Sequence, residues 1–304
     1  MGFTPLMWAA ERGNEGVVRL LLMLDDVDPD KPGQYGRTLL CLASYNGHEG
    51  VVRLLLTRSD VNPDKPDDDG QTPLWLASAS GREGVVRLLL ARNDVDPDKP
   101  ANDGRTPLLL ASSNGHEGVV RQLLTRDNVD PNRPCDYGQT PLWWASACGH
   151  EGVVRLLLAI NDVDPDKPAN DGQTPLSLAS WKGHEGVVRL LLACDDVEPN
   201  KRANHGRTPL GLASFWGREG VVKLLLSQGH VNPDMADDYG QTPLWHASFH
   251  GSEEVVRLLL AHGDVDPDKP DNNGWTPLGI ASRCDNTQIV ALLQAWQTAF
   301  SKID

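Results

Sequence analysis

The chain has 304 residues, 39% of them hydrophobic, and carries 28 basic against 42 acidic side chains for a net charge of −14. That hydrophobic share is too large for a disordered chain and supports a packed core, while a field of this sign repels nucleic acid and anionic lipid and mildly favours basic partners. No run approaches the roughly eighteen apolar residues of a membrane span, and Met1-Gly2-Phe3-Thr4-Pro5 lacks the charged start and apolar centre of a signal peptide. The cysteines (Cys41, Cys135, Cys148, Cys194, Cys284) are odd in number, scattered and without a CxxC pair. Reduced thiols and a cytoplasmic protein are the expectation.

Internal repetition decides the fold. Thr-Pro-Leu starts at Thr4, Thr72, Thr106, Thr140, Thr174, Thr208, Thr242 and Thr276, and Thr38-Leu39-Leu40 fills the one gap, so nine copies stand 34 residues apart. A glycine precedes each threonine by two, from Gly2 and Gly36 to Gly240 and Gly274. The chain therefore reads as one array of nine repeats, in order 1–35, 36–69, 70–103, 104–137, 138–171, 172–205, 206–239, 240–273 and 274–304.

Within each repeat the predicted elements follow the same order, shown here for the fourth. Thr106-Pro107 is a helix start, with a hydroxyl cap and a proline at the first helical position. That helix passes through Leu108, Leu110 and Ala111 and stops near Gly115. A second helix runs through Val119, Val120, Leu123 and Leu124, with Glu117 near its positive end and four residues before Arg121. Asp127 to Tyr137, holding Asp, Asn and two prolines, is an extended, hairpin-like loop. The second helix is apolar almost all round, as in Val85, Val86, Leu88, Leu89 and Leu90, which only stacked neighbours can bury. Ala77 and Ser78, recurring as Ala111-Ser112 and Ala145-Ser146, are small where adjacent first helices approach.

The pattern Gly-x-Thr-Pro-Leu-x-Leu-Ala-Ser-x-x-Gly-His-Glu-Gly-Val-Val-Arg-Leu-Leu-Leu resembles the ankyrin repeat along the whole chain. Tetratricopeptide repeats share the 34-residue spacing, but their Trp, Leu-Gly and Tyr pattern is missing here. The resemblance implies an all-α ankyrin-repeat solenoid: paired antiparallel helices, β-hairpin-like loops projecting at right angles, and a concave groove lined by first helices and loop tips. The loop, as in Val95-Asp96-Pro97-Asp98-Lys99-Pro100, is longer than the family's usual one and is similar to that of arrays in large fungal signalling ATPases. The family's histidine after Thr-Pro-Leu is replaced by Met7, Cys41, Trp75, Leu109, Trp143, Ser177, Gly211, Trp245 and Gly279, so its usual hydrogen bonding beneath the loop is not expected. Gly50, Gly84 and Gly118 fall inside second helices at about 1 kcal/mol each, although Glu254 and Gln288 occupy the same place later.

Repeats allow one chain to be compared with itself. Positions one, five, nine and ten residues after each glycine vary, as do the one or two just before it, and in the ankyrin fold these line the groove. The ninth reads Glu11, Tyr45, Ala79, Ser113, Ala147, Trp181, Phe215, Phe249 and Arg283; the tenth reads Arg12, Asn46, Ser80, Asn114, Cys148, Lys182, Trp216, His250 and Cys284. Large aromatics at free positions are the usual anchors of interfaces. The candidate partner-binding residues are therefore Trp181, Phe215, Trp216, Tyr239, Trp245 and Phe249, extended by Tyr137 and Trp143. The competing reading of Trp75, Trp143 and Trp245 is packing between helices.

Other chemistry is weakly signalled. Asp94, Asp96 and Asp98, repeated as Asp162, Asp164 and Asp166 and as Asp264, Asp266 and Asp268, resemble the opening of a calcium loop but lack its glycine and closing glutamate. His48-Glu49-Gly50-Val51-Val52 begins like a zinc-protease helix with valine where the second ligand belongs, and His246 and His250 lie four apart. No Gly-x-Ser-x-Gly, Walker loop or dinucleotide fingerprint occurs. No enzyme activity, cofactor or metal is expected. The leading expectation is a scaffold that binds a protein or peptide, a basic one on charge alone; the alternatives are a regulatory spacer of a larger signalling protein and a cation-binding ladder of acidic loops. The polar last repeat (Asn286, Thr287, Gln288, Gln294) reads as a cap. The first, with Met7, Trp8, Met23 and Leu24, reads as uncapped, giving a monomer or weak self-association through that end.

Overall fold

The computed structural model describes residues 4–24 and 27–300, so Gly2 of the first copy lies outside the described residues. Among the described residues there are helices and turns but no strand. First helices (Pro5–Glu11, Leu39–Asn46, Pro73–Ala79, Pro107–Ser113, Pro141–Cys148, Pro175–Lys182, Pro209–Phe215, Pro243–His250, Pro277–Arg283) alternate with second helices (Glu15–Leu21, Glu49–Leu56, Glu83–Leu90, Glu117–Leu123, Glu151–Leu158, Glu185–Leu192, Glu219–Leu226, Glu253–Leu260, Thr287–Phe300). Contacts divide the chain into two compact bodies, residues 1–163 and 164–304. Within each body successive first helices pack side by side, and so do successive second helices. None of these helices is long and apolar enough to cross a membrane.

Each local start and stop has its physical cause. The repeated threonine accepts the amide three residues on, as Thr72 Oγ1 does from Trp75 N and Thr140 Oγ1 from Trp143 N, both at 3.1 Å. Proline follows where no amide has a partner to lose. Thr38 caps without that proline, accepting from Cys41 N at 3.2 Å. Eight of the first helices end at or just before a glycine in the left-handed region, such as Gly149 at φ +77° and Gly183 at φ +86°, while Asp285 takes that place after the ninth.

The residue before a second helix makes no side-chain cap; as histidine or arginine it reaches the preceding repeat instead. His48 Nε2 bonds the Glu11 carbonyl at 2.7 Å, His150 Nε2 that of Ser113 at 3.0 Å, and Arg82 Nε donates to the Tyr45 carbonyl at 3.1 Å. These carbonyls end first helices and have no intrahelical donor of their own. The His-Glu-Gly segment is thus a strut between repeats. Behind it, Val85, Val86 and Leu89 are buried while Glu83 and Arg87 face water. The second helix is therefore amphipathic, not apolar all round, because only one side meets its neighbours.

The loops are tied in the same manner. Asp96 N donates to Asp64 Oδ2 at 2.8 Å and Lys99 Nζ to the Asp64 carbonyl at 3.1 Å; in the second body Asp266 N meets Asp234 Oδ2 at 2.7 Å and Lys269 Nζ the Asp234 carbonyl at 2.9 Å. Each tip closes on itself, as Asp67 N does on the Gln71 carbonyl at 3.0 Å, without extending into a strand pair. Asn102 N then donates to the Asp69 carbonyl at 3.0 Å, binding one tip to the previous one. Gly70 sits at that junction at φ +80°, where an added Cβ would lie 2.8 Å from Asn102 N. By contrast, the space over Gly84 is taken only by the flexible end of Glu49. In the first repeat Trp8, Leu20, Met23 and Leu24 are exposed.

The two glycines therefore separate cleanly. Gly70→Ala should destabilise by about 1–3 kcal/mol, since both φ and the neighbouring backbone oppose it, whereas Gly84→Ala should be neutral or stabilising by up to about 1 kcal/mol. Urea unfolding of the two variants measures the difference; equal midpoints would show that the tips carry no strain constraint.

Candidate interaction surface

The first helix ends at the ninth or tenth position after the repeat's glycine, so the side chains there stand at the turn, beyond the last fully buried layer. In the body 164–304 this brings rings from three successive repeats into one chain of contacts. Trp181 and Trp216 lie 6.2 Å apart between centroids, Trp216 and Phe215 5.2 Å, Phe215 and His250 4.1 Å, His250 and Phe249 4.8 Å, and Phe249 stacks on Trp245 at 5.4 Å and 9°. Trp216 is 48% exposed and Phe249 40%, while Trp181 and Phe215 are half-buried. Tyr239 is exposed on the neighbouring loop tip, its hydroxyl 3.5 Å from His205 Nδ1.

Two of the expected anchors sit elsewhere. Trp143 and Trp245 are only 7% and 6% exposed. The indole N–H of Trp245 donates to the Trp275 carbonyl at 3.1 Å, and Trp75, in the same position of its repeat, donates to the Arg105 carbonyl at 2.8 Å. These tryptophans fill the site of the family's absent histidine and tie one repeat to the next. Trp245 bears on the surface from beneath, through its stack on Phe249. In the body 1–163, Tyr137 is exposed and lines a cavity of about 460 Å³ with Asp103, Arg105, Cys135, Gln139 and Trp144, whose buried Nε1 has no hydrogen-bond partner.

Sequence reasoning missed the cations among the rings. Lys182 Nζ lies 4.0 Å above the Trp181 ring, the Arg207 guanidinium 4.7 Å above Phe215, and that of Arg283 5.1 Å above Trp275. Each stands at a variable position, so the signal was in the same columns that gave the aromatics.

Beneath Phe215 lies a polar pair. His246 Nε2 is 3.1 Å from Asp237 Oδ2, with side chains 1% and 2% exposed, and Arg207 Nε is 3.5 Å from the same oxygen. Asp237 Oδ1 also accepts Tyr239 N at 2.9 Å and Gln241 N at 3.0 Å, which shapes the tip carrying Tyr239. Burial pushes the His246 imidazole below its usual range, against the upward pull of Asp237, and burial with the neighbouring His246 and Arg207 lowers His250 too. Burial alone would raise Asp237, but the His246 bond and the two amides bring it below the usual carboxylate range.

The loop aspartates are drawn into the stack. Asp98 and Asp166 are buried, with Arg133 Nη1 at 2.9 Å from Asp98 Oδ2 and Lys201 Nζ at 2.8 Å from Asp166 Oδ2. Burial raises both above the usual carboxylate range. Among the described residues no group of three or more His, Cys, Asp or Glu side chains converges as metal ligands would.

A family model described as ankyrin repeats (3 copies) matches residues 6–101, 89–168, 158–235 and 222–301. The chain belongs to the ankyrin-repeat family, and its fold is the family's all-α solenoid of helix pairs. Members generally act as protein–protein interaction modules and typically as scaffolds, not as enzymes. No curated protein matches the sequence.

The polar pair gives a pH dependence. His246 is held neutral in the fold, so the folded chain binds fewer protons there than the unfolded one. Its contribution to stability is complete above the unfolded pKa, about 6.5, and is lost as pH falls below it. Asp237→Ala with His246→Leu restores the Ala203 and Leu212 of the preceding repeat. The wild-type melting temperature should fall more between about pH 7.5 and about pH 5.5 than that of the double variant. Parallel curves would mean that the buried imidazole is not neutral.

Proposed function

We propose that this chain captures a partner protein or peptide on the ring strip running from Trp181 through Phe215 and Trp216 to Phe249, with Tyr239 at its edge. The observation that carries this reading is the exposure of Trp216 and Phe249, at 48% and 40%, while their backbones are pinned. Soluble chains seldom leave contiguous large rings open to water, and rings already held in place lose little entropy on binding. Membership of a family of interaction modules supports the same reading. Tyr137, above its cavity in the body 1–163, is proposed as a further contact residue. Trp143 and Trp245 are assigned a supporting role, because a side chain without exposed surface cannot meet a partner. The groove that would receive the partner is part of the same proposal.

The test is a pair of variants. Trp216→Ala with Phe249→Ala should weaken capture of the specific partners retained by the full chain in quantitative affinity purification by about tenfold or more, with little change in melting temperature. Trp245→Ala should instead destabilise by about 3–5 kcal/mol, since it empties a packed site. Undiminished capture by the double variant would reject the strip as the binding surface.

A further inference from the structure

The strip carries a charge opposite to that of the chain around it. Residues 164–304 hold 19 acidic and 12 basic side chains, net −7. Yet at positions one, five, nine and ten after the glycines of their four repeats not one carboxylate occurs, Asp171 and Asp238 standing at the variable positions just before a glycine: the first reads Gln173, Arg207, Gln241, Trp275, and the fifth Ser177, Gly211, Trp245, Gly279. The ninth reads Trp181, Phe215, Phe249, Arg283, and the tenth Lys182, Trp216, His250, Cys284. The three permanent cations at these positions, Lys182, Arg207 and Arg283, each lie over a ring. The same holds for Arg37 over Tyr45 and Arg12 over Trp8 in the other body, where Glu11 is the sole acid at such positions.

The two carboxylates beside the Tyr239 tip are already engaged. Asp237 is bonded by His246, and Asp238 pairs with Arg202 Nη2 at 2.9 Å. The remaining negative charge lies mostly on the loops and second helices. Screening over a Debye length of about 8 Å at physiological salt weakens that distant charge far more than it weakens contacts within the strip. Local charge therefore outweighs net charge in choosing what binds here. Arg207 is shared with Asp237, but Lys182 and Arg283 are exposed, and an ammonium or guanidinium lying on a ring keeps its outer face open to meet a carboxylate while the ring meets an apolar side chain.

Resting on the binding role proposed above, we infer that the partner segment is acidic: a peptide in which Asp, Glu or phosphorylated residues alternate with aromatic or aliphatic ones. Net charge alone points the other way, to a basic partner. Nucleic acid also offers anions and stacking faces, but a continuous phosphate chain would have to run past the aspartates of the loops, which a short acidic peptide avoids.

The experiment is selection of a random dodecapeptide library on the full chain, with Trp216→Ala/Phe249→Ala as a parallel bait. Peptides enriched on the wild type should be lost on that variant and rich in Asp and Glu. Their affinity for Lys182→Gln/Arg283→Gln, which alters two exposed side chains, should fall about fivefold at physiological salt, and further salt should narrow the gap. Peptides lost on the aromatic variant but neutral or basic would overturn the acidic partner and leave the binding site standing. Acidic peptides retained by the aromatic variant, or no enrichment at all, would overturn both. A single-stranded oligonucleotide that binds more tightly than the selected peptides would also overturn the inference.

Discussion

Helices of seven or eight residues do not persist alone, and each pair here exposes an apolar flank that only another pair can cover. The ties between repeats are therefore the constraint on which everything else rests. Within each body they recur at fixed offsets: a loop amide to a loop carboxylate, a loop lysine or arginine to a loop carbonyl, a turn histidine or arginine to the end of the preceding first helix, and a tip amide to the preceding tip. Several of these bonds end on the backbone of variable residues. The Trp181 carbonyl accepts Arg218 Nε at 3.1 Å, that of Phe249 accepts Asn286 Nδ2 at 3.1 Å, and that of Tyr239 accepts Asn272 N at 3.0 Å. The main chain is fixed where the side chain is free to change, which is how a repeat can alter its surface without altering its fold.

This division also explains what the sequence disclosed. Threonine caps recur nine times, and helix-ending glycines and the valine-leucine core nearly as often, so the fold is readable from Gly104 to Tyr137 alone. The surface was half readable. Variation implies release from packing, which holds for Trp216 and Phe249 but fails for Trp143 and Trp245. The fifth position varies for another reason: its space accepts Trp75, Leu109 or Gly211, each filling it differently. An indole there also supplies a donor to the next repeat, a role that needs the neighbour's coordinates to be seen.

The acidic loops were likewise legible in composition but not in role. Spacing alone could not distinguish carboxylates offered to a cation from carboxylates turned inward. Asp64 and Asp234 spend an oxygen on the next repeat's amide, and Asp98 and Asp166 on its arginine or lysine. Some of the negative charge counted in the sequence is thus mortar between repeats. Net charge counts these buried and paired carboxylates together with the exposed ones, so it does not describe the charge local to the aromatic strip.

Three departures from the repeat's common pattern coincide beneath the ring strip. The seventh and eighth repeats hold Gly211 inside a first helix, as Gly279 is in the ninth, His246 where most repeats carry leucine, and the buried Asp237 where three repeats carry alanine and Asp67 and Asp271 recur. A helix glycine and a buried polar pair each lower stability relative to the residues they replace. His246 Nδ1 is buried without a partner, an expense that a leucine would not incur. All three gather under or beside Phe215, Trp216, Tyr239 and Phe249, where His246 and His250 present their rings to Phe215 at 5.4 and 4.1 Å and Asp237 shapes the Tyr239 tip. Where these departures meet beneath the rings, local stability yields to a surface held in one particular shape.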